Sequence, residues 1–575
     1  MVVLAAAKEM KGVFSKNNID LLNKDLDNFD AKYKDFEKEA QSVYWLSFIP
    51  YVADFKNGVE AGHYMVKVAQ ESAEAVTPYA DLIGFKKGEA SFVEKSAENR
   101  LQTAILTLDK VLQKIDVVSE DIHQADLRIQ KIDPKRYPEK IGNAVVRSKL
   151  VNVKEQFQGV TSLFVDAKPL LKRIPEMFGK DKEKTYLILF QNENERRATG
   201  GFLTAYAIFR VKDGKITIEK SSDIYTLDDS ISPHPVAPKE ILAYHKNVSQ
   251  FFIRDSNLSP DLPTSIGLFN SLYDKSGIKE KYDGIITIDS KVLVDMLTIF
   301  GDTEAGGVRF SSVIDSRCDC PQVIYQLFDM VDRPVNYIKT NRKGILGELM
   351  YALFYKAIGF SPSKYWGTLM QSMFQNLQQK HIQLYFVDQD LQKSVEKLNF
   401  AGRIRSYDGD YLHVNNVNFA GAKSNLFVEE SITSKTSFNS GQVSRQVTVE
   451  YRNPYPHSDC NLERGGLCLN AILRNWVRVY VPKGSKLVEF KGSEKKVNVY
   501  DDLDKTVFEG FMTVSPQGKA EIDVTYTLPG TITRDNYSLL VQKQAGTQDQ
   551  KLVVEMGGKK LYDGLLNVDQ TVVNK

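Results

Sequence analysis

Asn192, Glu193, Asn194, Glu195, Arg196 and Arg197 stand in unbroken succession, and Gly200 and Gly201 follow them closely. Guanidinium forks beside carboxylates are the chemistry that holds a phosphate or pyrophosphate, with the carboxylates left to bind a divalent cation or accept a proton. The glycines would let backbone approach a ligand or adopt positive φ. Three more clusters offer similar groups: Ser221-Ser222-Asp223, Arg254-Asp255 with Asp261, and Asn341-Arg342-Lys343. Each has a plainer reading as a solvated patch whose charges neutralise one another.

The elements around the first cluster give it a setting. Tyr186 to Phe190 is a continuous apolar run of strand length, and Leu203 to Val211 is a second, rich in aromatic and branched residues. Both read as buried strands, so the charged stretch reads as a loop between them, too polar to be buried unless it binds something. Strands and helices alternate from about residue 183 to 400. Tyr282 to Asp289 and Ile382 to Val387 read as strands, while Val292 to Phe300, Gly344 to Ile358 and Lys364 to Gln378 have helical spacing. Such alternation implies a sheet covered by helices.

Before this region the period is 3.6. Ile19, Leu22, Leu26, Phe29, Tyr33, Phe36, Ala40 and Val43 form one stripe, ended by Pro50; further helices are expected from Val59 to Val76, Ser96 to Ile129 and Asn143 to Leu171. Helices with a single apolar stripe must pack on one another, which predicts a bundle or stalk. Beyond about residue 403 the period becomes two: Val447, Val449, Tyr451; Val477, Val479, Val481; Ile522, Val524, Tyr526, Leu528. An antiparallel β-sandwich follows from that pattern. The expected fold is therefore α+β multidomain: a helical stalk or bundle over 1–140, a central α/β domain over 141–402, and a β-sandwich over 403–575.

Composition narrows the function. With 575 residues the chain is too long for one core, and 75 basic against 73 acidic residues leave no basic excess for nucleic acid. Seven histidines and four cysteines argue against a histidine-rich metal centre or a cysteine-ligated cluster. There is no GxGxxG at a strand-helix junction, no P-loop, no HExxH and no GxSxG. No apolar run reaches the roughly 18 residues a membrane span needs. Met1 to Ala7 is apolar, either the stub of a membrane anchor or the start of a helix. Cys460 and Cys468 bracket a loop with two glycines, and a bridge there would be worth roughly 2.5 kcal/mol. Cys318 and Cys320 have a spacing awkward for a mutual bridge, and four cysteines allow three pairings.

Several of these segments, taken together, resemble a known family. The order QNENERRATGGF, KDGKITIEKSSDIYTLDD, RDSNLSPDLPTS, YDGIITIDSKVLVDMLTIFG, NVNFAGAKSN and VYVPKGS, over roughly residues 183 to 530, is similar to the bacterial domain-of-unknown-function family four thousand and twelve, a family of cell-envelope proteins. That resemblance, to an uncharacterised family, implies an extracytoplasmic location, anchored to the cell membrane upstream of the given chain, where an oxidising space would bridge Cys460 to Cys468.

Arg197-Ala198-Thr199, Ser222-Asp223-Ile224 and Tyr282 to Gly301 also fall in the order seen in the LytR-CpsA-Psr ligases. Those enzymes move a glycan phosphate from a polyprenyl-pyrophosphate carrier to the cell wall, with a magnesium ion. The likeness implies that Arg196, Arg197 and Arg254 hold pyrophosphate in a site lined by Asn192, Gly200 and Gly201. Glu195 and Asp223 would be the catalytic carboxylates, with Asp223 and Asp255 on Mg2+. Two departures stand out: Thr199 replaces an expected aspartate, and no arginine neighbours Asp223. The expected partner is thus a cell-wall glycopolymer or its polyprenyl-linked lipid carrier, with no nucleic acid. The alternative is a non-catalytic surface protein that binds, adheres or serves a structural role.

Overall fold

The structure is a computed structural model and describes residues 19–79, 102, 105, 108, 112–141, 144–332, 344–359, 362–439, 441–461, 466–535 and 537–573. Met1 to Ala7, most of the first half of the helix expected from Ser96, and Asn341-Arg342-Lys343 lie outside those residues. The chain forms two compact units, one of residues 1–184, 210–217 and 355–368, the other of 185–209, 218–354 and 369–575.

The first unit is built on helices α1 (Ile19–Gln41), α2 (Pro50–Val76), α3 (Ile115–Lys131) and α4 (Arg147–Lys172). On α1 the buried residues are Ile19, Leu26, Tyr33 and Ala40, one every seventh position, which keeps them on one face against α2. Pro50 opens α2 rather than breaking it, because its missing N–H falls where a helix has no acceptor anyway.

The second unit carries a five-stranded sheet of strands β1 (Lys184–Arg197), β2 (Gly200–Lys212), β3 (Lys215–Asp223), β4 (Gly284–Asp289) and β5 (Ile382–Phe386), in the order β5-β4-β1-β2-β3. β1 and β4 are parallel, with Tyr186 opposite Gly284 and Gln191 opposite Asp289, whereas β5 runs antiparallel to β4. Helix α5 (Leu262–Tyr273) and helix α6 (Ser290–Phe300) follow, capped by Asp261 and Asp289. The sandwich consists of two six-stranded sheets. One has Asp410–Asn418 and Leu473–Pro482 at its centre; the other has Glu429–Asn439 and Gln442–Arg452. Val447, Val449, Tyr451, Val477, Val479, Val481, Ile522, Val524 and Tyr526 fill the space between them, as the period of two requires. The sheets are mostly antiparallel. Two pairs are parallel, Asp410–Asn418 with Ser538–Val541 and Glu429–Asn439 with Lys551–Met556, and each brings a late strand back beside an early one.

The charged stretch is not a loop. β1 runs through Gln191 to Arg197, only Ala198 and Thr199 make the turn, and every residue from Glu193 to Gly201 is buried. Its carboxylates and guanidinium ends find partners within the chain, while the Nε atoms of Arg196 and Arg197 are buried without an acceptor. A second core joins this sheet to the sandwich, with Leu189, Tyr206 and Ile253 packed in the same cluster as Val417, Phe419, Trp476 and Phe511. Two glycines allow the close fit. A Cβ on Gly201 would come within 2.2 Å of the Asn192 backbone, and one on Gly546 within 2.4 Å of the Gly200 carbonyl oxygen. What approaches these glycines is the protein's own backbone.

Both cysteine pairs are bridged, Cys460 to Cys468 and Cys318 to Cys320. The second was unexpected from its spacing. Asp319 takes φ 52° and leaves the two Cα atoms 5.1 Å apart, within the range a disulfide spans.

Candidate functional site

Strand alternation sends Arg196 and Arg197 to opposite faces of β1. Arg197 is 1 % exposed. Its guanidinium donates to the Asn418 carbonyl, lies 3.1 Å from Glu195 Oε1 and 3.5 Å from Asp255 Oδ1, and sits between the rings of Phe202 and Phe419. The turn beyond it is held by amides from distant elements. Gln544 donates to the Arg197 carbonyl, Asn415 to that of Ala198, Gln383 to that of Thr199 and Asn257 to that of Gly201. Thr199 hydrogen-bonds Gln191, 3.0 Å away, so its hydroxyl serves the turn.

Four of the residues singled out by sequence meet here. Glu195 and Asp255 both reach Arg197, and Arg254 stands 3.9 Å from Asp255. Arg254 makes its shortest pair with Asp228, at 2.6 Å, a residue the sequence reading passed over. Burial raises the Asp228 carboxyl, and Arg254 opposes that shift. The Arg254 guanidinium covers the ring of Tyr225, whose hydroxyl is pushed up by burial, with Arg254 lowering it and Glu195, Asp223 and Asp255 raising it. Asp223 is buried and accepts the Tyr225 backbone N–H at 3.1 Å. Asp261 stands apart from this group, capping α5 and pairing with Arg403. Among the described residues no group of three or more His, Cys, Asp or Glu side chains is placed to hold a metal ion.

Arg196 faces a cleft of about 560 Å³. Its guanidinium pairs with Glu430 at 2.8 Å, its backbone N–H donates to Asn425, and its Nε is buried without an acceptor. Glu430 also accepts from Asn416 and Gln550. Glu193, Asn194, Glu450 and Arg452 line the same cleft, and Phe427 and Tyr455 meet edge to face at 5.4 Å. Asn192 hydrogen-bonds the Asn194 backbone and is not among the lining residues, nor are Gly200 and Gly201. Thus Arg196 and Arg197, neighbours in sequence, belong to two different sites. Glu430, Phe427 and Tyr455 lie more than 200 residues from the hairpin, beyond the reach of any spacing rule.

Glu193 links the cleft to a buried polar network. It accepts from the Ser290 backbone N–H at 3.0 Å and from the Ser290 hydroxyl, which ties it to the first turn of α6. Asp289 and His381 Nδ1 are 2.6 Å apart beside it. Burial, aided by the nearby Asp289, pushes Glu193 up to about 7; burial raises Asp289 to about 8 and lowers His381 to about 3.

These positions set two expectations. Removing one partner from a buried, charge-paired site costs about 3 to 5 kcal/mol, so Arg197→Ala should lower stability by that much in urea denaturation. Glu193 takes up a proton on folding, because its native pKa lies above its ordinary value of 4.5. Its contribution is complete at low pH and is lost as pH rises through about 7. Glu193→Gln should therefore shrink the stability difference between pH 5 and pH 8 by about 2 to 3 kcal/mol, measured by the same denaturation at both pH values.

Comparison with known proteins places part of this architecture. No curated protein matches the chain. Residues 181–316, which hold the hairpin, Asp223, Arg254, Asp255 and Asp289, match the family model described as "Protein of unknown function (DUF4012)", and that stretch is a DUF4012 family domain.

Proposed function

We propose that this chain is the extracytoplasmic part of a membrane-anchored cell-envelope protein, and that it binds a cell-wall glycopolymer without turning it over. The observation that carries the reading is the cleft beside Arg196. Its volume falls in the range of ligand sites, roughly 300 to 1,000 Å³. Glycan hydroxyls both donate and accept, and carboxylates, amides and a guanidinium together meet both needs. The apolar face of a sugar ring stacks on an aromatic side chain, a role that suits the exposed Tyr455 backed by Phe427. Two disulfides fit an oxidising compartment.

A second reading is transfer from a polyprenyl-pyrophosphate carrier on the LytR-CpsA-Psr pattern, with magnesium. Its support is the gathering of Glu195, Asp223, Arg254 and Asp255 around Tyr225. Against it, Arg197 is buried and each of the three arginines is already paired with a carboxylate. Calorimetric titration with soluble glycan fragments released from bacterial cell walls tests the first reading. Tyr455→Ala should weaken binding at least about tenfold, as befits the loss of one aromatic stacking contact, with the melting temperature unchanged. No binding, or equal binding by the variant, removes the cleft from consideration. Magnesium-dependent turnover of a polyprenyl-pyrophosphate-linked glycan that Arg254→Ala abolishes would put the second reading in its place.

A further inference from the structure

The turn between α1 and α2 is apolar and exposed. Ser42 to Ala53 contains no charged residue. Trp45 is 74 % exposed and Phe48 76 %, and Val43, Ile49, Tyr51 and Phe55 are exposed around them. Large side chains of this kind are ordinarily turned inward at a helical hairpin, and scattered single exceptions are normal. Here six fall within thirteen residues, at the end of the bundle where α1 stops and α2 starts.

A cation-rich segment is held on one side of this turn, while on the helices that carry the turn Glu37, Glu39 and Asp54 outnumber Lys38 and Lys56. Tyr51 donates to the Arg136 carbonyl and packs against Tyr137 with ring centroids 5.4 Å apart, while Arg147 donates to the Tyr137 carbonyl. The stretch from Lys131 to Lys140, and Arg147, are thereby held beside the apolar turn. They contribute Lys131, Lys135, Arg136, Lys140 and Arg147, all exposed, against Asp133 and Glu139. Of these cations Arg136 is matched by Asp54 at 2.8 Å. An apolar, aromatic tip with a cation-rich segment on one side has the composition of a surface seated at a membrane interface. Tryptophan and tyrosine settle at the headgroup level, phenylalanine and isoleucine reach the acyl boundary, and lysine and arginine meet anionic lipid.

We propose that the tip formed by Trp45, Phe48, Ile49 and Tyr51 inserts into the interface of an anionic lipid bilayer, with Lys135 and Lys140 on the lipid headgroups. This contact is independent of the glycan reading and needs no membrane span in the chain.

Co-sedimentation of the full chain with vesicles tests it. The protein should bind phosphatidylglycerol vesicles, bind phosphatidylcholine vesicles far less, and lose affinity as salt is raised. The double substitution Trp45→Ser with Phe48→Ser should weaken partitioning into phosphatidylglycerol vesicles at least about tenfold, and Lys135→Gln with Lys140→Gln should weaken it severalfold. All four side chains are exposed, so unchanged melting temperatures would separate lost contact from lost fold. Failure to bind phosphatidylglycerol vesicles, or binding that the Trp45 and Phe48 substitutions leave intact, overturns the proposal. So does a chain that dimerises through this tip in light scattering and shows no lipid affinity.

Discussion

A guanidinium taken out of water must find its acceptors inside the protein, and the charged hairpin of the second unit holds two such groups. Arg197 is enclosed by Glu195, Asp255 and the Asn418 carbonyl, and Arg196 by Glu430 and the cleft. Desolvating either charge would cost several kcal/mol if its partners were absent. Those partners come from three parts of the chain: β1 itself, the loop before α5, and the first strands of the sandwich. The hairpin therefore holds its buried, charged conformation only where sandwich and sheet are packed together.

The amides around the turn extend the same requirement. Gln383, Asn415 and Gln544 each donate to a carbonyl of Arg197, Ala198 or Thr199, and Gly546 lies against Gly200. Buried backbone carbonyls need such donors as much as buried charges need counter-charges. The cleft is a by-product of this packing. One face of β1 is sealed by Phe419 and Asp255, and the other opens beside Glu429 to Ser431, where Arg196 and the aromatic pair are left within reach of a ligand. Glu193 then couples that cleft to α6 through Ser290.

Much of the frame was legible in the sequence. The apolar runs Tyr186 to Phe190 and Leu203 to Val211, the strand ending at Asp289, and the period-two residues of the sandwich all lie where pattern predicts, since burial of alternate or continuous apolar residues leaves a local signature. Gln191 to Arg197 was misread as a loop because polarity is a local clue and the compensating groups are not local: Asn418, Asn425 and Glu430 follow more than 200 residues later. The contact of Arg197 with Asp255 joins two clusters flagged separately, whereas Asp228, placed beside Arg254 by a fold in the chain, carried no signal. The Cys318–Cys320 bridge was missed for a similar reason, since it depends on the backbone conformation of Asp319.

The central claim is that the charged hairpin is a structural joint between sheet and sandwich, opened only when the two separate. Native-state hydrogen exchange reads this directly, because it reports the opening free energy of each segment. Amides of Glu193 to Arg197 should exchange with the same free energy and denaturant dependence as those of Val477 to Val481 in the sandwich core. Exchange of the hairpin by small local openings, several kcal/mol below the sandwich, would contradict the account and return Glu193 to Arg197 to the status of an independent, ligand-ordered segment.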